Sequence, residues 1–248
     1  MIPQPTNVQI FDRNYQVFGY PGEGWYDILV NSGKYTEFNL ENLRQFIRPD
    51  FVCLDIGANV GVMTLAMKAL VPDGVVHSFE GSDATYKALR ETVRASGFSQ
   101  VKTYPWIVGR EGEYGVFVDD VQWRSSSHYM PGDGETRARS IDSLELDAVD
   151  FIKIDVEGGE LDVLDGMLAT LKRCQPIVVM EFNSFAMIHY REIIPRHMLK
   201  RIFEIFPKVY YFQNRNGGVV KLDDPEAFLK SNMFGGFVDD LICGWAGD

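Results

Sequence analysis

Residues 51–70 read FVCLDIGANVGVMTLAMKAL. An apolar run closes on Asp55 and Gly57. After Asn59 and Gly61 the spacing changes to that of a helix. A buried strand, a glycine turn and a helix, in that order, open a βαβ unit. The pattern repeats downstream. GVVHSFEG (74–81) is a second strand ending in an acid, and DATYKALRETVRASG (83–97) is a helix with Gly97 just past its end. VKTYPWIVG (101–109) is a third strand and VDFIKIDVEG (149–158) a fourth. The helix GELDVLDGMLATLKR (159–173) follows, with Leu161, Leu164, Leu168 and Leu171 on one face, and PIVVMEFN (176–183) is a fifth strand. Alternation of this kind predicts an α/β fold with a Rossmann-like, doubly wound, parallel sheet.

The flanks have a different texture. NYQVFGYPGEGWYDILVNS (14–32) predicts a hairpin around Pro-Gly-Glu-Gly, and NLENLRQFIRP (39–49) a helix stopped by Pro49. Residues 1–50 are therefore read as a cap on a main domain of residues 51–248. KVYYFQNRNGGVVKL (208–222) predicts a second hairpin, and DLICGW (240–245) a last strand. Residues 110–140, including WRSSSHYMPGDGETRARS, read as a long polar loop of the kind that forms lids or binding loops.

The chain has 248 residues, 46% of them hydrophobic, enough for a sizeable core. Its formal charge of −11 repels phosphate backbones, which argues against a nucleic-acid partner. Arg191, Arg196, Lys200 and Arg201 are read as a solvated helix face. Cys53, Cys174 and Cys243 lie far apart without CxxC spacing, as small core residues of a reducing compartment do. No basic-then-apolar leader opens the chain, and no apolar run approaches the roughly 20 residues of a membrane span. A cytoplasmic protein with no membrane partner is expected.

The first strand end has the composition of a nucleotide site. Ligands of open α/β sheets bind outside the carboxyl ends of the strands. Gly57 and Gly61 permit a tight turn and close approach of a ligand, and Asn59 tolerates the left-handed conformation. The spacing is not the G-x-G-x-x-G of dinucleotide sites. Asp55 would repel a pyrophosphate but suits an ammonium group, which S-adenosylmethionine (SAM) carries. Glu80, 25 residues on, ends the second strand where an acid can accept from ribose hydroxyls. Trp106 and Ile107 are candidates for an adenine wall.

In IKIDVEGGELDVL (152–164), strand alternation puts Lys153, Asp155 and Glu157 on one face. A buried lysine needs a partner, and Asp155 and Asp55 are both candidates. Gly158 and Gly159 turn the chain, and Glu160 enters the first turn of a helix, a structural position favoured by the macrodipole. Asp155 and Glu157 are left as carboxylates on the rim with Asp55 and Glu80. Glu181 and Asn183, at the end of the fifth strand, add polar groups to that rim.

Together LDIGANVG, VVHSFEGS, SIDSL, VDFIKIDVEGGELDVLDG and PIVVMEFN resemble the FkbM family of SAM-dependent methyltransferases, in the family's order. The resemblance implies a seven-stranded sheet, mostly parallel with an antiparallel last strand. It implies O-methylation of a hydroxyl on a small molecule of sugar or polyketide-like type. It places Asp55, Gly57, Ala58, Asn59, Gly61, Glu80 and Gly81 at SAM, with Glu37 of KYTEF reaching the same cofactor. Asp155 and Glu157 would face the reaction centre, with Lys153 orienting them. Family members often carry Pro where this chain has Gly81.

The expected reaction is in-line methyl transfer, with Asp155 or Glu157 taking the hydroxyl proton. Ser127, His128, Glu181 and Asn183 are the candidate acceptor contacts, with His189 a further one. Asp155, Glu181 and Asn183 also form an oxygen set that a hard divalent cation accepts, although hydrogen-bonded rim residues without a metal are the reading preferred. The rivals are a SAM-binding module without catalysis, an NAD-dependent oxidoreductase and a glycosidase-type carboxylate pair.

Overall fold

The computed structural model describes residues 1–36, 38–213 and 217–244 and divides into two compact units. The first unit comprises Met1–Ile107 with Phe117–Ser127, and the second Val108–Val116 with His128 onward.

The first unit opens with an antiparallel hairpin of β1 (Gln4–Ile10) and β2 (Arg13–Gly19). The hairpin expected at residues 14–32 thus lies earlier. Pro-Gly-Glu-Gly instead starts a helix, α1 (Gly24–Ser32), for a local reason. The Glu23 carboxylate accepts the N–H groups of Trp25 at 3.1 Å and Tyr26 at 2.7 Å, satisfying two donors that a helix start leaves open. Trp25, Tyr26 and Leu29 are then buried on one side. The helix expected at 39–49 is a short 3-10 turn, Leu40–Gln45, capped by Asn39.

Next come β3 (Val52–Ile56), α2 (Val62–Leu70), β4 (Val75–Phe79), α3 (Asp83–Ser96) and β5 (Val101–Tyr104). The three strands are parallel, in the order β3-β4-β5. Gly97 ends α3 in the left-handed conformation at φ 70°. β5 stops just before Pro105, which has no N–H for the ladder, so Trp106 and Ile107 lie beyond the strand. The N-terminal segment is fastened to α3: Phe18 N–H donates to Thr92 Oγ1 at 2.9 Å, and the Tyr20 hydroxyl to Ala84 O at 2.9 Å.

Residues 110–140 are not a structureless loop. They contain β6 (Tyr114–Val118), β7 (His128–Pro131) and β8 (Thr136–Arg137), with Tyr114 paired to Arg137 and Gly115 to Thr136. Glycine makes this possible: a Cβ on Gly134 would lie 2.0 Å from Gly115 O, and one on Gly115 2.2 Å from Met130 O.

The second unit continues with β9 (Phe151–Ile154), α4 (Glu160–Asp165), α5 (Leu168–Cys174), β10 (Ile177–Asn183), α6 (Ser184–Arg191), α7 (Pro195–Ile205), β11 (Val209–Phe212), β12 (Val219–Lys221), α8 (Pro225–Phe234) and β13 (Val238–Cys243). Its strand order is β12-β11-β13-β10-β9. β9 and β10 are parallel, and the last strand, β13, runs antiparallel to both of its neighbours. The chain is therefore α/β, with parallel strands β3, β4 and β5 in the first unit and β9 and β10 in the second. Ile152, Ile154, Val178, Val179, Phe182 and Ile242 are fully buried among them. Asn214, Asn216 and Trp245, within the expected hairpin tip and last strand, lie outside the described residues.

The single helix expected over 159–173 is broken in two at Gly166 and Met167. A Cβ at position 166 would meet Gly109 O at 2.0 Å, so the backbone there is held against another strand of chain. Leu168 is consequently exposed, whereas Leu164 and Leu171 are buried. The basic stretch is largely ion-paired: Arg191 with Asp162, Arg201 with Asp165 and Arg196 with Glu226. Among the described residues no helix is long and apolar enough to cross a membrane.

Candidate functional site

In the first unit, β3 ends in a tight turn that contains three left-handed residues. Gly57, Asn59 and Gly61 have φ of 82°, 47° and 95°. Gly57 N–H and Ala58 N–H both donate to Phe79 O, at 3.0 and 2.9 Å, which ties the turn to the end of β4. A Cβ on Gly61 would meet Leu89 Cδ1 at 2.8 Å. Asp55 is buried and accepts the Thr64 hydroxyl at 2.5 Å, and Thr64 is in turn 2.8 Å from Ser78 Oγ.

Glu80 clamps this turn. One carboxylate oxygen accepts Asn59 N–H at 2.9 Å, and the other accepts Ser82 N–H at 2.8 Å. Burial pushes its pKa up to about 7 against those two bonds, with Asp55 and Asp119 adding to the rise. Ser82, not Glu80, caps α3. Ala58 and Ile107 are buried apolar neighbours of this region, and Trp106 is half-buried with its ring 5.1 Å from that of Tyr104. Gly81 is locked in as glycine, because a Cβ would lie 2.8 Å from Ile107 Cγ1 and 3.0 Å from Phe117 Cε2. Glu37 lies outside the described residues.

In the second unit, the carboxyl ends of β9 and β10 carry a cluster of acids around one ammonium group. Lys153 is buried and pairs with Asp240 at 3.2 Å and Asp155 at 3.5 Å. Burial alone would lower the lysine pKa, but Asp240, Asp155 and Glu181 hold it above its ordinary value. Carboxylate oxygens of Asp155, Glu157 and Glu181 lie within 4.8 Å of one another. The Asn183 amide spans the last two, at 3.4 Å from Glu157 and 3.3 Å from Glu181. Burial, then Asp155 and Glu157, pushes the Glu181 carboxyl well above the usual range. The spacing is short enough for a single hard cation, but Lys153 already places a positive charge against Asp155.

Strand alternation does not bring Glu157 to this cluster. β9 ends at Ile154, and Glu157 sits in the left-handed region at φ 54°, followed by Gly158 at 93°. The turn itself swings the side chain over. It is pinned from two sides. Glu160 is fully buried and accepts Val156 N–H and Gly158 N–H, both at 3.2 Å. Opposite, Arg191 Nη1 would be 3.0 Å from a Cβ on Gly159. Glu160 is thus structural, as its place in the helix suggested.

The candidate acceptor residues divide. Glu181 and Asn183 join the cluster. Ser127 is engaged within its own loop, accepting Asp120 N–H at 3.0 Å and donating to Asp119 at 3.3 Å. His128 is buried and stacks on Tyr190 at 4.0 Å and 13°, while His189 is exposed. Sequence reasoning missed Asp240 as the main partner of Lys153. Its signal was present, since an acid between Val238 and Leu241 in an apolar strand demands a cation.

Residues 55–205 match the family described as the methyltransferase FkbM domain. The chain belongs to the FkbM methyltransferase family. The FkbM match takes in both strand-end clusters except Asp240, which lies past its end. Methyltransferase 1 of Beauveria bassiana (strain ARSEF 2860) is 25% identical over 146 residues, 48% of this chain and 59% of that relative. This chain therefore spans about three-fifths of that protein's length. The crystal structure of Methyltransferase FkbM from Methylobacillus flagellatus KT has a TM-score of 0.50 and 17% identity, covering 79% of this chain and 44% of that one. That likeness is one of fold.

The buried acids of this FkbM chain carry a stability cost that depends on pH. Burial pushes Glu160 up to about 7, with Asp155 adding to the rise. The folded chain then holds a proton that the unfolded chain releases above about 4.5, so stability falls as pH rises from there through 7. The full fall is about 3 kcal/mol for one such carboxyl. His77, pushed down to about 4 by burial and Lys102, works in the opposite sense below 6.5. The readout is therefore the difference between wild type and Glu160→Gln. The variant is expected to gain on wild type in urea midpoint between pH 5 and pH 8. A constant difference across that range refutes the assignment.

Proposed function

We propose that this chain is a SAM-dependent O-methyltransferase acting on a hydroxyl of a small molecule of sugar or polyketide-like type. The observation that carries the reading is the cluster of Asp155, Glu157 and Glu181 held around Lys153 and Asn183 in an FkbM chain. The first-unit turn fits the cofactor. Gly57 and Gly61 offer backbone without side chains, and Ala58 and Ile107 offer apolar surface. Asp55 and Glu80 supply negative charge for an ammonium group and acceptors for hydroxyls. When bound, SAM supplies a methyl group already activated on a sulfonium.

What the protein then has to do is align an oxygen, exclude water and take a proton. Burial and the neighbouring acids favour the protonated form of Glu181, which makes it the poorer choice of base. Asp155 and Glu157 are left as acceptors for the hydroxyl proton. Lys153 fixes Asp155, and the Asn183 amide fixes Glu157. The partner proposed is a small-molecule acceptor, with neither nucleic acid nor membrane involved.

The test is titration calorimetry with SAM and S-adenosylhomocysteine, followed by transfer of a labelled methyl group to a panel of hydroxyl compounds. SAM is expected to bind and the label to appear in an ether. NAD binding without SAM binding would revive the oxidoreductase. SAM binding with no transfer to any acceptor would leave a binding module.

A further inference from the structure

We propose that an aromatic shelf on α6 and the turn before β13 binds the methyl acceptor, and that the acceptor carries a planar aromatic body beside its hydroxyl. This rests on the transferase reading and names the acceptor class. The shelf starts at the carboxylate cluster itself. Asn183, which contacts Glu157 and Glu181, also caps α6 through its Oδ1, accepting Ala186 N–H at 3.0 Å. The backbone of Ala186 would lie 3.0 Å from a Cβ on Gly158, so α6 packs straight onto the turn that carries Glu157. Phe185, two residues after Asn183, is therefore fixed close to that turn.

The rings are ordered against one another. Phe185 stacks on His189 at 5.1 Å and 21° and meets Tyr190 edge-on at 5.9 Å. Tyr190 is backed by the buried His128 at 4.0 Å. Phe237 approaches Phe185 at 6.3 Å, and its carbonyl accepts Ser184 N–H at 2.8 Å. Phe237 holds a left-handed φ of 71°, a conformation costly for a bulky residue and one that gathers at ligand clamps. Despite these contacts Phe185 is 48% exposed and Phe237 40% exposed. A soluble surface does not normally present such a run of rings, with Ile188 alongside.

The chemistry of the shelf selects its occupant. A sugar is recognised by many directional hydrogen bonds, and here His189 and Tyr190 are the polar tips among rings. A planar aromatic body instead gains from offset stacking and edge contacts with Phe185 and Phe237. Its hydroxyl then points off the shelf to the carboxylates, which is the arrangement that apolar pockets with a few convergent polar groups use.

The test uses 2-naphthol and methyl glucopyranoside as probes, titrated against the full chain with and without S-adenosylhomocysteine. Naphthol is expected to bind saturably, and Phe185→Ala to weaken it about tenfold while S-adenosylhomocysteine affinity stays unchanged. Phe185→Leu, which keeps the apolar contact but not the ring face, should also weaken it and guards against misfolding of the alanine variant. The proposal is overturned if the glucoside binds as tightly as naphthol, or if neither Phe185 variant alters naphthol binding. It is also overturned if sedimentation shows a dimer that Phe185→Ala abolishes and naphthol dissociates, because the rings then belong to a self-association surface. If S-adenosylhomocysteine fails to bind while naphthol binding still depends on Phe185, the transferase reading fails and the shelf stands.

Discussion

The double variant Asp155→Asn, Glu157→Gln is expected to bind SAM as wild type does and to lose methyl transfer by about 10²–10⁴-fold, the range that a positioned general base contributes. Both substitutions keep size and some hydrogen bonding while removing the capacity to take a proton. SAM is already an activated electrophile, so what remains for the protein chemistry is alignment and proton removal. The two single variants then divide the role. The residue whose loss reproduces the double variant is the proton acceptor, and the other holds the geometry. Glu181→Gln should be mild by comparison, because glutamine keeps the size of the side chain and an oxygen that accepts the Asn183 amide. Circular dichroism and urea midpoints establish that the fold survives. Wild-type turnover in the double variant would end the assignment of either acid as base.

Lys153→Met is expected to cost about 3–5 kcal/mol of stability, read as a fall in the urea midpoint. The lysine is buried, and so is Asp240, its nearer partner at 3.2 Å. Removing the cation strands that aspartate and weakens the hold on Asp155. The second variant makes the point testable even if the first folds poorly. Lys153→Met with Asp240→Leu removes both charges and should recover most of the loss, since apolar replacement of a buried pair is often neutral or better. If Lys153→Met is as stable as wild type, or if the double variant is no better than the single, the pair is not what holds this strand end together.

What could be read from the sequence follows the physics of each segment. The strands from residue 51 onward were legible because buried parallel strands are short apolar runs with glycine or acid punctuation, and β3, β4, β9 and β10 have that form. The Gly57–Gly61 turn was legible because left-handed backbone restricts composition. The N-terminal hairpin was misplaced because Trp25, Tyr26 and Ile28 look like strand residues, while one carboxylate, Glu23, decides for a helix. The break in the 159–173 helix was invisible, since it depends on Gly109, more than fifty residues earlier in the chain. In the candidate site, Asp155, Glu157, Glu181 and Asn183 were named in advance, but Glu157 arrives by a left-handed turn and not by alternation. Asp240 was missed because its pairing is long-range, and periodicity carries no information about which distant strand lies beside a lysine.

Gly81 has a consequence for how this chain can change over time. Family members that the sequence resembles often have proline there, yet here any Cβ would run into Ile107 and Phe117. The position and its two neighbours are thus interlocked. A proline introduced on the present background meets Ile107 Cγ1 and then the Phe117 ring, so the substitution is closed until both neighbours have given way. The order of events matters: make room at 107 and 117, then replace 81. Along that path lineages can diverge around the second strand end without any change in the acids that flank it.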